Sequence, residues 1–317
     1  MALTVRIGSR PSRLALTQAA IVRERLAAVA SGLSAEIVEI RTSGDKMTSA
    51  SLAQVGGKGL FIRELEQALK ARTIDIAVHS MKDLPAALPP EFRLAAVPER
   101  VDPRDVLVTR TGDGFESLPA GTRLGTSSSR RQFEALRVNP HLSITPLRGN
   151  VDTRLKRIEE GGLDAIILAM AGLQRLNRLA GLKLVPLDER DFIPSGGQGA
   201  LAIEMLQNSR LDRPSDLERA LTAINDARAM YEIAAERAYL ATIGASCVTP
   251  VGVRAVAAGG SLSIRAIVFS RDGARELADA LQEPLDSDLA PSVAEAAGVR
   301  LGERMLARGA GALVGDA

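Results

Sequence analysis

Ile74-Asp75-Ile76-Ala77-Val78-His79-Ser80-Met81-Lys82-Asp83 reads as a buried strand, Ile74 to Val78, running out into a turn with an ammonium beside a carboxylate. Upstream lie a short strand from Val5 to Ile7 and a helix face marked by Leu14, Ile21, Val22 and Leu26. Ile37 to Ile40 reads as a second strand. Gly56-Gly57-Lys58-Gly59 makes a loop before a helix face of Phe61, Leu65, Ala68 and Leu69. Downstream comes a Pro-rich passage from Pro85 to Pro103. Alternation then resumes, with strands at Val106 to Val108, Arg123 to Gly125, Ser143 to Leu147 and Ala165 to Leu168. Helices follow Ser129 and cover Val151 to Ile158, and the whole apolar run Ala165 to Leu173 reads as a buried strand. Such alternation predicts parallel sheets with crossover helices, in two α/β domains divided near Glu99 to Pro103. Past residue 215 the texture changes to an α+β module without a detectable repeat of what precedes it. Its helices run from Asp226 to Leu240 and Ser292 to Leu306, and a hairpin turns at Gly259-Gly260.

The chain has 317 residues, 46% hydrophobic and 25% charged, which excludes a disordered chain or a disulfide scaffold. Aromatics at 3% and a net charge of +2 speak against a nucleic-acid surface. The 40 basic residues divide into 34 Arg and 6 Lys, an imbalance favouring planar forks that grip carboxylates bidentately. A single Cys rules out an internal disulfide, and two histidines, His79 and His141, leave no basis for a His-based metal centre, so no metal is expected. Met1-Ala2-Leu3-Thr4-Val5-Arg6-Ile7 lacks the pattern of an export signal, and no apolar run spans a bilayer; a cytoplasmic location is expected.

Gly197-Gln198-Gly199-Ala200-Leu201-Ala202 fits the letters of a dinucleotide loop, but a strand-like segment follows it where a helix is needed. It reads as a backbone crossover between domains. The arginines fall after strand ends, where α/β sheets place ligands: Arg10 and Arg13, then Arg130 and Arg131, Arg148 with Arg154, and Arg175. With Thr126, Ser127 and Ser128 at a helix start, they predict a site for a polycarboxylate or polyphosphate between domains. Asp83 suits a general acid or a stabiliser of a developing cation, or equally a helix cap. Cys247 lies in Gly244-Ala245-Ser246-Cys247-Val248-Thr249-Pro250, and a lone cysteine of this kind is more often an inert core residue than a reactive one.

Together these segments resemble the porphobilinogen deaminase family along nearly the whole chain. The resemblance is carried by Ile7-Gly8-Ser9-Arg10-Pro11-Ser12-Arg13, Arg41-Thr42-Ser43-Gly44-Asp45, Gly56-Gly57-Lys58-Gly59-Leu60-Phe61 and Val78-His79-Ser80-Met81-Lys82-Asp83. It continues through Gly125-Thr126-Ser127-Ser128, Arg130-Arg131, Leu147-Arg148-Gly149-Asn150, Arg175-Leu176, Gly197-Gln198-Gly199-Ala200, Glu236-Arg237-Ala238 and Cys247. Departures occur at Ser129, at Gln54, at Ala245-Ser246 before the cysteine, and at Met205.

The resemblance implies two doubly wound domains like those of periplasmic binding proteins, 1–99 with 197–220 and 100–196. A small α+β domain, 221–317, would present the cysteine. It implies an enzyme that joins four porphobilinogen molecules head to tail, releasing ammonia and hydroxymethylbilane. Cys247 would carry a dipyrromethane cofactor by a thioether, and Asp83 would be the catalytic acid. Arg10, Ser12, Ser80, Lys82, Thr126, Ser127, Ser128, Arg130, Arg131, Arg148, Arg154 and Arg175 would hold acetate and propionate groups. A monomer is expected. The rival is a two-lobed solute-binding protein without chemistry, which would need neither Asp83 nor Cys247.

Overall fold

The computed structural model describes residues 3–43, 62–208, 214–246 and 248–314. Gln54, Gly56 to Phe61 and Cys247 therefore lie outside the described residues. The first sheet contains β1 (Leu3–Ser9), β2 (Leu33–Glu39), β3 (Ile76–Ser80), β4 (Phe92–Ala96) and β10 (Leu201–Leu206). The second contains β5 (Asp105–Thr109), β6 (Arg123–Gly125), β7 (Ser143–Thr145), β8 (Ala165–Ala169) and β9 (Lys183–Pro186). Their orders, β2-β1-β3-β10-β4 and β7-β6-β8-β5-β9, are the same arrangement, so the fold repeats where the letters do not.

Neither sheet is purely parallel, which corrects the expectation. β1 runs parallel to β2 and β3, but β10 is antiparallel to β3 and β4, and β5 is antiparallel to β8 and β9. The register gives the reason. Leu201 opens β10 opposite Ser80, the last residue of β3, and Asp105 opens β5 opposite Ala169, the last residue of β8. A chain entering a sheet at the carboxyl edge of its neighbour must run back down it. Both inserted strands thus begin at the edge where α/β sheets place ligands.

Each sheet is covered on both faces. Helix α1 (Arg13–Val29) starts at Ser12, whose hydroxyl accepts from the Ala15 amide at 3.3 Å. It packs Ala19, Val22 and Leu26 on Val5, Ile7, Ile76 and Val78. On the other face α2 (Arg63–Lys70) sets Leu65 and Leu69 on Ala77 and Phe92. In the second sheet Leu107 faces Ala135 of α3 (Ser129–Val138), while Val106 and Val108 face Leu155 and Ile158 of α4 (Val151–Glu159). Truncating one such core side chain, Leu26→Ala for instance, costs about 2–5 kcal/mol.

The apolar run from Ala165 breaks at Ala169, and Met170–Arg175 forms a short helix, α5, instead of prolonging the strand. An unbroken apolar stretch carries no period to separate the two. β4 lies in the Pro-rich passage, where the sequence reading placed no strand; it is an edge strand, where prolines nearby are tolerated. After α6 (Pro214–Ile224), the last unit packs α7 (Ala227–Thr242) and α8 (Pro291–Ala307) on a sheet of β11 (Val251–Ala258), β12 (Ser261–Phe269) and β13 (Glu276–Pro284), and ends in α9 (Ala310–Val314). Gly259 and Gly260 turn the hairpin at φ of 59° and 74°. Among the described residues no helix is long and apolar enough to cross a membrane.

Candidate active site

After β3 the chain makes one 3-10 turn, Met81–Asp83. Met81 is buried as its anchor, so Lys82 and Asp83 both stay exposed. Asp83 faces a small pocket shared with Arg10, Ser12, Gln18, Ile62 and Ser80. The Ser80 hydroxyl meets the Gln18 side-chain nitrogen at 2.8 Å, which fixes the pocket wall. Beneath it, buried His79 meets buried Glu204 through Nε2 at 3.0 Å. The Asp83 carboxylate makes no hydrogen bond or ion pair among the described residues, so it caps no helix there. An open carboxylate in a pocket can donate or accept a proton, or face a cation.

Across the cleft, the three hydroxyls shape their own loop. Thr126 Oγ1 accepts from the Ser128 amide at 3.1 Å, Ser127 Oγ from the Leu147 amide at 3.0 Å, and Ser128 Oγ caps α3 through the Arg131 amide at 3.4 Å.

The arginines separate into two kinds. Arg130 and Arg131 are buried and both meet Asp105, at 2.7 Å each. Arg130 also binds Glu134 at 2.6 Å and the Ile193 carbonyl at 2.9 Å, and Arg131 donates to the Ile167 carbonyl at 3.1 Å. Burial alone would raise the Asp105 carboxyl, but the two guanidinium groups overcome it and hold it well below the usual carboxylate range. Burial pushes Glu134 up to about 8, Arg130 opposing and Asp105 adding to the shift.

Arg148, Arg154 and Arg175 have no carboxylate within ion-pair distance among the described residues. Arg154 donates only to the Gly149 carbonyl, at 2.8 Å, and Arg175 to that of Gly199, at 2.7 Å. Partial burial, with Arg131 and Arg148 as neighbours, pushes Arg154 down to about 10. Burial and Arg25 do the same to Arg175. Lys82 is open to water but flanked by protein. Desolvation, then the charge of Arg131, push it down to about 8, a direction that its exposure tempers. Strained positive charge of this kind is relieved by an anion. Arg13 spans the cleft to Asp152 at 3.4 Å.

Sequence reading passed over Arg100 and Asp105, and it quoted Gln198 and Glu236 without a role for their side chains. Buried Glu236 accepts from Arg100 Nη1 at 2.7 Å, from the Gly197 amide at 2.7 Å and from the Ala255 amide at 2.9 Å. It joins both crossovers to the third sheet. Gly199, at φ +86°, would place a Cβ 2.4 Å from the Val101 carbonyl, so only glycine lets the two crossovers touch. The Gly-Gln-Gly letters were the available signal. Among the described residues no cluster of three or more His, Cys, Asp or Glu side chains forms a metal site.

The family model for the dipyrromethane cofactor binding domain of porphobilinogen deaminase matches residues 5–212, and that for the same family's C-terminal domain matches residues 230–307. Porphobilinogen deaminase of Syntrophobacter fumaroxidans is 46% identical over 272 residues, covering 85% of either chain. That of Syntrophotalea carbinolica is 43% identical over 309 residues, covering 96% of this chain and 93% of its own. Among solved structures, the substrate binding domain of a putative molybdenum ABC transporter from Clostridium difficile superposes with a TM-score of 0.44 at 10% identity, over 71% of this chain and 93% of that one. The BvgS VFT2 domain of Bordetella pertussis gives 0.41 at 17% identity, over 70% and 86%.

Proposed function

The chain belongs to the porphobilinogen deaminase family, and from that premise we propose that Asp83 is its proton-transfer group and Cys247 the anchor of its dipyrromethane. The enzyme condenses porphobilinogen head to tail into linear hydroxymethylbilane, a step of tetrapyrrole biosynthesis. When bound, the dipyrromethane supplies the pyrrole carbon to which the first substrate is joined.

The residues present fit such a group. A dipyrromethane of this kind carries several carboxylates, and Lys82, Arg148, Arg154 and Arg175 offer positive charge that no carboxylate among the described residues pairs within ion-pair distance. Arg10, Ser12 and Ser80 share the Asp83 pocket and suit the carboxylates of the incoming ring. Arg130 and Arg131, already engaged by Asp105, would join in as a prearranged pair. Asp83 gives a proton to the departing aminomethyl nitrogen as the carbon–nitrogen bond breaks. As a carboxylate it then faces the cationic pyrrole N–H until the new carbon–carbon bond forms and the ring carbon loses its proton. We take the three units as 1–99 with 197–220, 100–196 and 221–317, working as a monomer in the cytoplasm.

The observation that carries this reading is the exposed Asp83, without a hydrogen-bond or ion-pair partner among the described residues, at the mouth of a cation-rich cleft. Asp83→Asn should fold, carry the added mass of two pyrrole units, and lose at least ~10²-fold in turnover. Near-normal turnover in that folded, loaded variant would refute the role. Cys247→Ser should show the mass of the bare chain and make no bilane.

A further inference from the structure

Gln198 is buried at 1% exposure between the two lobes, and every polar atom of its side chain is committed. Its Nε2 donates to the Pro103 carbonyl and to Asp105 Oδ1, both at 2.8 Å, which fixes which way the amide points. Its Oε1 therefore faces the first lobe, where it accepts from Lys82 Nζ at 3.0 Å. The backbone beneath it is pinned as well: its carbonyl accepts from Arg100 Nε at 2.9 Å and its amide donates to the Ser195 carbonyl at 3.0 Å. The residue is a rigid link from the acid that clamps the Arg pair to the cation beside Asp83.

We propose that Gln198 is a positioning residue, whose locked amide aims the Lys82 ammonium into the cleft and keeps it charged there. The inference rests on the reading of Lys82 and Asp83 as site groups. An oxygen that can only accept favours the ammonium over the neutral amine. It opposes what the surroundings do, since Lys82 is pushed down by desolvation and by Arg131 and Arg130 of α3, against the raising effects of Asp83 and of Asp105 on β5. Without the amide, the cation would titrate lower and lose its direction.

The chain has only six lysines, so Lys82 can be followed by NMR in the full-length protein with carbon-13 at lysine Cε, assigned through Lys82→Arg. Gln198→Met, which keeps the shape without the amide, should lower the Lys82 midpoint by about one unit. The alkaline limb of kcat/KM should move down with it. Gln198→Asn, one methylene too short to span both partners, should shift in the same direction and serves if the Met variant does not fold. In the Lys82→Arg background neither change should move that limb. An unmoved Lys82 midpoint in a folded variant overturns the inference, even if activity falls. A shifted midpoint with an unmoved limb overturns Lys82 as a site group, and with it the positioning role. Full bilane formation by Asp83→Asn would instead defeat the reading of the site, and the midpoint would still report on Gln198.

Discussion

Two sets of arginines stand on the same lobe and do opposite things. Arg130 and Arg131 end on Asp105, deep in the protein, with distances of 2.7 Å and a carboxylate held firmly ionised. Arg154 and Arg175 end on backbone carbonyls, and crowding by protein and like charge depresses them to about 10. The difference lies in counter-charge, not in residue type or loop position. Where the protein supplies the anion, the guanidinium braces the fold; where it does not, the guanidinium waits for a ligand. A buried pair is costly to break but adds little beyond what a well-packed apolar group would, whereas an unmet cation weakens the empty protein slightly and is repaid on binding.

Removing the shared anion should have the largest effect. Asp105→Ala leaves buried Arg131 without a carboxylate and Arg130 with Glu134 alone, and should cost about 3–5 kcal/mol in denaturant unfolding. A loss well under 1 kcal/mol would mean the pair is not held as a closed unit. Arg154→Leu should do the reverse, leaving the cofactor-free midpoint unchanged or slightly raised while weakening the hold on the dipyrromethane carboxylates by about 1.5–3 kcal/mol, read by intact mass as a smaller fraction of chains carrying two pyrrole units. Loss of folding there would erase the contrast.

The pH dependence sharpens it. Asp105 is depressed, so its stabilisation is present above its unfolded value of ~3.9 and is lost as pH falls toward the folded one. Glu134 is raised from 4.5 to about 8, so the folded protein binds the extra proton and stability declines as pH rises across that window. Glu134→Gln should flatten the decline between those limits; an unchanged slope would mean Glu134 stays ionised beside Arg130. The smallest effect belongs to an exposed pair: Arg123→Ala, which breaks the contact with Asp164, should leave the unfolding midpoint within experimental scatter.

The strand–helix alternation was legible because burial on alternate faces imposes it, and the Gly259-Gly260 hairpin because a tight turn needs positive φ. The direction of β5 and β10 was not, since it follows from where the chain re-enters a sheet, which no local pattern records. The pocket around Asp83 was readable as a strand end, and the structure adds that Asp83 caps nothing among the described residues. Counting arginines located the cleft but did not sort them. The partner of Arg130 and Arg131 lies 25 and 26 residues upstream in what reads as an ordinary apolar strand start. Gln198 stood in plain view, inside letters that read as a crossover between domains and matched the family, but nothing in them showed its side chain joining Lys82 to Asp105.

The position of β10 between β3 and β4 also dictates an order of events during synthesis. A ribosome must add residues up to 206 before the first sheet can receive its fourth strand, and by then every strand of the second sheet, ending at Pro186, has been made. Until then β4 has no neighbour and the edge of β3 lies bare. The half that begins the chain is thus the later of the two to be completed, and the nascent protein passes through a stage in which its middle is finished while its start is still open.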